Sequence, residues 1–301
     1  MQKRSRHPDE PFPLWAAWEA TVAARAAGVA VIDAPAGGRV WSFVELDACA
    51  REWVARLREA GTGRGTVVAI PAPNSLDWLG AFLGTQALGA VALPLEEGMA
   101  PAALAETPSV LATPEPQRLG GGPRKRGLCL IKTTSGTTGR PRSLGFTAAQ
   151  MIADGEAIVE AMGLRRDDRN LAVIPFGHSY GLGNLVLPLV LRGIGIVIGG
   201  GFFPAEILRD LRAYEATVFP AVPPLIRALA AAPGGAGDSL RLVISAGGTL
   251  AASAREAFFQ AHGLPVANFY GSTETGGISF DAGEASERAP GEIGRPLRGG
   301  G

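Results

Sequence analysis

From Thr66 to Phe269 short apolar runs alternate with longer segments of helical spacing, and this alternation constrains the fold more than any other feature. The runs at 66–70, 90–95, 128–133, 170–175, 194–198, 216–219, 241–245 and 266–269 are rich in Val, Ile, Leu and Ala. Continuous apolar runs of that length read as strands buried on both faces. Between them, 75–88, 147–162, 180–191, 204–214, 223–231 and 251–262 carry apolar residues at helical spacing, several opening at Ser, Thr or Pro. Upstream, 12–27 and 45–59 read as helices flanking a strand at 29–33. Strand–helix–strand repetition joins parallel strands through helical crossovers. The expected class is α/β with a mostly parallel sheet.

Residues 96–126 break the rhythm, with Pro114, Pro116, Gly120 to Gly122 and Pro123 in a loop. An internal boundary is expected there, dividing 1–126 from 127–301. Composition narrows the function classes. Lys plus Arg and Asp plus Glu are each 28, so the net charge is zero. A disordered chain would be less apolar than 47%, and a phosphate-contacting nucleic-acid binder would be basic. The 42 glycines follow no collagen period and fit a chain with many turns and close backbone approaches. Two cysteines, Cys49 and Cys129, give no disulfide framework and fit a reducing compartment. The basic start is followed by Pro8, Pro11 and Pro13 rather than by an apolar stretch, so a cytoplasmic location is expected. The uncharged run Asn170 to Leu191 contains Pro175 and Pro188 and reads as buried strand and helix, not as a membrane span.

Four segments carry chemistry, and the first three sit at expected carboxyl ends of strands, where parallel sheets bind ligands. Thr134-Ser-Gly-Thr-Thr-Gly139 combines hydroxyls with glycines whose backbone N–H groups can converge on an anion. Its spacing is not that of the P-loop, which places Lys after the last Gly. On its own it also fits a hydrophilic hairpin. Phe269-Tyr-Gly-Ser-Thr-Glu-Thr-Gly-Gly277 offers an aromatic face, hydroxyls and a hard carboxylate suited to Mg²⁺ beside phosphates. Ser245-Ala-Gly-Gly-Thr-Leu250 opens a strand end into a helix. Pro175-Phe-Gly-His-Ser-Tyr-Gly181 holds His178, the histidine that is neither in the N-terminal tail nor at a helix end. A loop histidine with a purely structural role is the competing reading.

In this order, these segments resemble those of the AMP-forming, adenylate-forming superfamily, which includes acyl- and aryl-CoA synthetases, nonribosomal peptide adenylation domains and firefly luciferase. Thr134 to Arg142 is similar to its phosphate loop, Phe176 to Gly181 to its acyl-pocket segment, Ala246 to Leu250 to its Gly-Gly segment, and Tyr270-Gly-Ser-Thr-Glu274 to its Tyr-Gly-x-Thr-Glu motif. Gly291-Glu-Ile-Gly-Arg-Pro296 resembles the strand region that follows, and Trp41 to Leu46 and Ala81 to Pro94 fit upstream. The resemblance implies two stacked, mostly parallel sheet subdomains. It implies that Thr134, Ser135, Gly136, Thr137, Thr138 and Gly139 hold the ATP phosphates. Tyr270 would stack on adenine, with Gly247, Gly248, Asn268, Phe269 and Gly271 around it. Thr273 would contact the α-phosphate and Glu274 would bind Mg²⁺. His178, Ser179, Gly181, Val222 and Ala246 would line the acyl pocket. The implied reaction is attack of a carboxylate on the α-phosphorus with loss of pyrophosphate, then transfer of the acyl group to a thiol, that of CoA or of carrier-protein pantetheine.

The pattern departs from the family in places. Arg142-Ser143 stands where the family has Lys-Gly; Arg keeps the charge with a different shape. No Asp follows Asp281 and no Lys follows Lys132, so the family's ribose-binding Asp and adenylation Lys have no counterparts in their usual places. The chain thus resembles the large domain without the small C-terminal cap. Two readings stand: the nucleotide- and acid-binding part of an acid–thiol ligase, either a fragment of a longer product or completed by a separately encoded partner, or an ATP- or acyl-adenylate-binding module with impaired turnover. Weak or no adenylation by the 301 residues alone is expected. Stretches 178–185, 222–226 and 246–248 contain no Asp to pair a substrate ammonium, so a fatty or aryl acid is expected over an amino acid.

Overall fold

Most helices start where the sequence supplies a cap or a proline, and the interior of each sheet forms where apolar runs meet. The computed structural model describes residues 12–71, 73–95, 108–120, 122–133, 142–282 and 293–298. Helix α1 (Pro13–Arg25) opens on proline and buries Leu14, Trp15 and Trp18. Strands β1 (Val29–Asp33) and β2 (Arg39–Ser42) form a hairpin. Helix α2 (Phe43–Glu59) begins with a reciprocal capping box between Ser42 and Glu45. Strand β3 (Val67–Ile70) leads to α3 (Leu76–Ala87), where the Ser75 hydroxyl accepts the Trp78 N–H at 3.0 Å. Gly80 and Gly84 let α3 close on α2: a Cβ at Gly80 would lie 2.5 Å from Trp53 Cδ1.

Strands β4 (Val91–Pro94), β5 (Val110–Leu111), β6 (Gln117–Arg118), β7 (Leu130–Thr133) and β8 (Ser143–Phe146) precede α4 (Ala148–Ala161), itself started by a Thr147–Gln150 capping box. Strand β9 (Arg169–Ala172) follows. Then α5 (Ser179–Gly181), a π-helical turn (Leu182–Val186) and α6 (Leu187–Arg192) run on as one helix. The sequence led to an uninterrupted α-helix there; the π turn inserts a widened turn. Strand β10 (Gly195–Ile198), α7 (Pro204–Ala213), β11 (Val218–Ala221), α8 (Pro223–Ala230), β12 (Leu242–Ser245), α9 (Ala252–His262), β13 (Val266–Ser272), β14 (Gly276–Asp281) and β15 (Arg295–Pro296) complete the order.

The strands make a nine-stranded sheet, β15-β14-β13-β12-β11-β9-β10-β1-β2, and a six-stranded sheet, β6-β5-β3-β4-β7-β8. Interior pairs are parallel, whereas the margins at β2, β6, β8, β14 and β15 are antiparallel. This is the expected α/β class. The marginal strands did not stand out in the sequence because each is short, exposed or glycine-containing and carries no apolar run. The two sheets do not divide the chain at 126/127. Val31 of β1 pairs with Ile196, and Leu130 of β7 pairs with Ala92, so each sheet takes strands from both sides of that point. A continuous apolar core runs from Trp18 and Trp53 through Phe176 and Leu187 to Phe219 and Phe258.

The chain crosses from β9 to β10 on one side, then from β10 to β11 on the other side of β9. Reversals of this kind open a crevice at the carboxyl ends of the strands.

Candidate functional site

The loop after β9 is held in place from the other sheet. The Asn74 side chain, just ahead of α3, donates to the Ile174 carbonyl at 2.9 Å and accepts the Phe176 N–H at 2.6 Å. Phe176 is fully buried and packs on Trp78, ring centroids 5.4 Å apart. Ser75 caps α3, and Asn74 anchors the segment that carries His178.

His178 is the N-cap of α5; its Nδ1 accepts the Tyr180 N–H at 3.2 Å, which places the proton of the neutral ring on Nε2. Tyr180 is buried, and burial pushes its phenol well above the ordinary tyrosine value. The group stays neutral and donates to the Ile244 carbonyl at 3.2 Å. Its ring stacks on Phe269, centroids 5.9 Å apart. At Gly181 a Cβ would overlap the Pro175 carbonyl oxygen, so glycine lets the helix start against the loop.

These pieces border an open cleft of about 170 Å³. Helix α4 contributes Asp154 and Ile158, the loop and helix after β9 contribute His178 to Asn184 in part, and the end of β12 contributes Ala246 and Gly247. The remaining wall is Phe269, Gly271, Ser272, Thr273, Gly276 and Gly277 of the β13–β14 hairpin. A register shift between Tyr270 and Gly271 turns that strand, consistent with a bulge re-aiming side chains at a site.

The cleft therefore brings together seven of the expected residues: His178, Ser179, Ala246, Gly247, Phe269, Gly271 and Thr273. Others lie beside it. Val222 sits behind Gly247, its Cγ1 3.6 Å from where a Cβ there would be. Tyr270, 45% exposed, alternates with the buried Phe269 and presents its ring on the outer face. Glu274 is exposed in the hairpin turn, and Asn268 is half-buried, paired in register with Ser245 and Asp281. Gly248 and Gly181 are not on the wall. Thr134, Ser135, Gly136, Thr137, Thr138 and Gly139 lie outside the described residues. Their flanks are described: Thr133 and Ser143 pair across β7 and β8, and Arg142 is exposed. Among the described residues no group of three His, Cys, Asp or Glu could hold a metal by itself.

Asp154 belongs to no motif, and the sequence reading missed it. Its Oδ1 accepts the Gly277 N–H at 2.8 Å, tying α4 to β14 across a separation of 123 residues. Gly276, with φ +77°, leaves room for it: a Cβ there would lie 2.5 Å from both carboxylate oxygens. Burial pushes the Asp154 carboxyl above its ordinary value, against the Gly277 N–H and the charge of Lys132. Lys132, at the end of β7, is 5% exposed, its ammonium 4.8 Å from the Phe146 ring centroid. Burial lowers its pKa and Asp154 opposes that shift. The two cysteines supply no nucleophile. Burial pushes Cys49 to about 11 and Cys129 to about 12, leaving both as thiols at neutral pH.

The motif order and this site geometry agree with a family model described as "AMP-binding enzyme", which matches residues 18–109 and 112–300. The chain belongs to the AMP-binding enzyme family. Among curated AMP-binding relatives, the chain is similar to a feruloyl-CoA synthase of Amycolatopsis sp, 26% identical over 288 residues, 84% of this chain and 58% of that protein. It is also similar to a 3-hydroxybenzoate–CoA ligase of Aromatoleum sp. (strain CIB), 24% identical over 88% of this chain and 60% of that protein. The chain thus spans about six tenths of the length of these relatives. The fold matches that of the N-terminal domain of FACL13 from Mycobacterium tuberculosis, with TM-score 0.81, 20% identity, and 95% and 82% of the two chains covered. It likewise matches ATP-bound MatB from Rhodopseudomonas palustris, with TM-score 0.82, 22% identity, and 96% and 65% covered. Among the described residues no helix is long and apolar enough to cross a membrane.

Proposed function

We propose that the chain is the ATP- and acid-binding part of an enzyme that activates a carboxylic acid as an acyl-adenylate for transfer to a thiol such as that of CoA. The observation that carries this reading is the cleft. It gathers side chains and backbone from the acyl-pocket, Gly-Gly and Tyr-Gly-x-Thr-Glu segments, which lie far apart in sequence, at the carboxyl ends of parallel strands. In this reading Thr273 meets the α-phosphate from the cleft wall, Tyr270 offers its exposed face to adenine, and Glu274 with phosphate oxygens holds Mg²⁺. One carboxylate suffices for that role, because Mg²⁺ beside a nucleotide takes most of its ligands from phosphate and water. His178 borders the acid, and the chain's own groups act by positioning and charge neutralisation. Curated relatives whose names specify feruloyl, 3-hydroxybenzoate and 4-coumarate favour an aryl acid over a fatty acid.

Calorimetric titration of the 301-residue protein with ATP and Mg²⁺ tests the nucleotide part. Metal-dependent binding that Glu274→Ala abolishes is the expected result. No binding by folded wild-type protein would overturn it.

A further inference from the structure

Among the described residues lining the cleft, Asp154 is the only carboxylate, and none is Lys or Arg. Its oxygens lie between two glycines. A Cβ at Gly276 would lie 2.5 Å from both, and one at Gly183 would lie 3.9 Å from Oδ2. Oδ1 is committed to the Gly277 N–H. Oδ2 accepts no hydrogen bond from the described residues, so an acceptor is left at the wall of a site that also presents Tyr180 and Phe269. A half-buried carboxylate oxygen that is open at a cleft wall is placed to accept from a ligand donor. Lys132 acts on Asp154 through charge and forms no ion pair with it within 4.0 Å among the described residues, so it favours ionisation without taking Oδ2. The volume, about 170 Å³, resembles that of an apolar cavity of about 150 Å³ that takes benzene. One ring with short substituents fits a space of that size.

Resting on the reading of this cleft as the acyl pocket, we propose that Asp154 determines which acid is accepted. The substrate is an aryl monocarboxylic acid whose ring carries a hydrogen-bond donor, hydroxyl or amino, and Oδ2 accepts from that donor. A second carboxylate or a sulfonate on the substrate meets like charge and finds no cation on the described wall, so dianionic acids are rejected. The apolar stretches picked out in sequence gave no hint of an acidic group in the pocket, because it enters from α4.

The test is calorimetric titration, in saturating AMP, with benzoate, with 2-, 3- and 4-hydroxybenzoate, with 3-aminobenzoate and with isophthalate. Wild type should bind at least one donor-bearing acid roughly tenfold or more tighter than benzoate, and isophthalate more weakly than benzoate. Asp154→Asn keeps an oxygen for the Gly277 N–H and the shape of the side chain but removes the charge. It should bring the preference close to one and relax the rejection of isophthalate. Equal wild-type affinity for benzoate and all donor-bearing acids, or a preference that survives in Asp154→Asn, overturns the Asp154 assignment and leaves the ligase reading standing. Binding of AMP but of none of the acids, benzoate included, overturns the reading of the cleft as an aryl-acid pocket, and this assignment with it.

Discussion

The nine-stranded sheet has a buried or half-buried aspartate near each end, and the two carboxyls shift in opposite directions. Asp168, Thr217 and Arg241 immediately precede β9, β11 and β12. Burial alone would raise Asp168, but Arg241, the Arg165 N–H at 2.6 Å and the Thr217 hydroxyl at 2.7 Å outweigh it and hold the carboxyl below its ordinary value. Arg241 engages both oxygens, its Nε at 2.8 Å from Oδ1. At the carboxyl ends Asp154 receives one N–H, faces a cleft, and is raised. A carboxylate saturated by its own fold joins strands together, whereas one left with an unused acceptor next to space is suited to a ligand.

The largest expected effect belongs to the saturated end. Asp168→Ala leaves the Arg241 guanidinium without its acid and should cost about 3 kcal/mol of stability in denaturant unfolding, while Asp154→Asn should cost less than about 1 kcal/mol. Equal losses would dissolve the contrast. Next, Asn74→Ala should cost about 1–2 kcal/mol and weaken acid binding along with it, because the Ile174 and Phe176 backbone groups lose partners and the His178 loop is released. Unchanged acid affinity in a destabilised variant would separate the anchor from the site.

The smallest effect is in acid. Asp168, depressed in the fold, contributes stability that is present above its ordinary value of 3.8 and lost as pH falls through its folded value. Asp154, raised in the fold, contributes in the opposite sense: its share is complete below 3.8 and lost as pH rises through its folded value. Unfolding measured between pH 3 and pH 7 should show Asp168→Asn flattening the acid loss and Asp154→Asn steepening it, each by at most about 1.4 kcal/mol per pH unit. Slopes moving in the same direction for both variants would break the comparison.

Local sequence carried the alternation of strands and helices, the Ser75 and Thr147 starts, and the segments that hold His178, Ala246 and Thr273. These are legible because burial of a whole strand, a hydroxyl cap and a glycine turn each depend on a few neighbouring residues. The π turn in the helix after β9, the antiparallel margins and the sharing of both sheets across residue 126 were decided by tertiary contact. Exposed strands need a partner to form and show no apolar run of their own. Asn74 and Asp154 belong to the same class. Asn74 lies just before a helix cap and Asp154 within α4, and the role of each exists only because the fold brings Phe176, 102 residues away, and Gly277, 123 residues away, within hydrogen-bond reach. A side chain's partner across such a distance is set by how sheets and helices pack, and no local pattern encodes that.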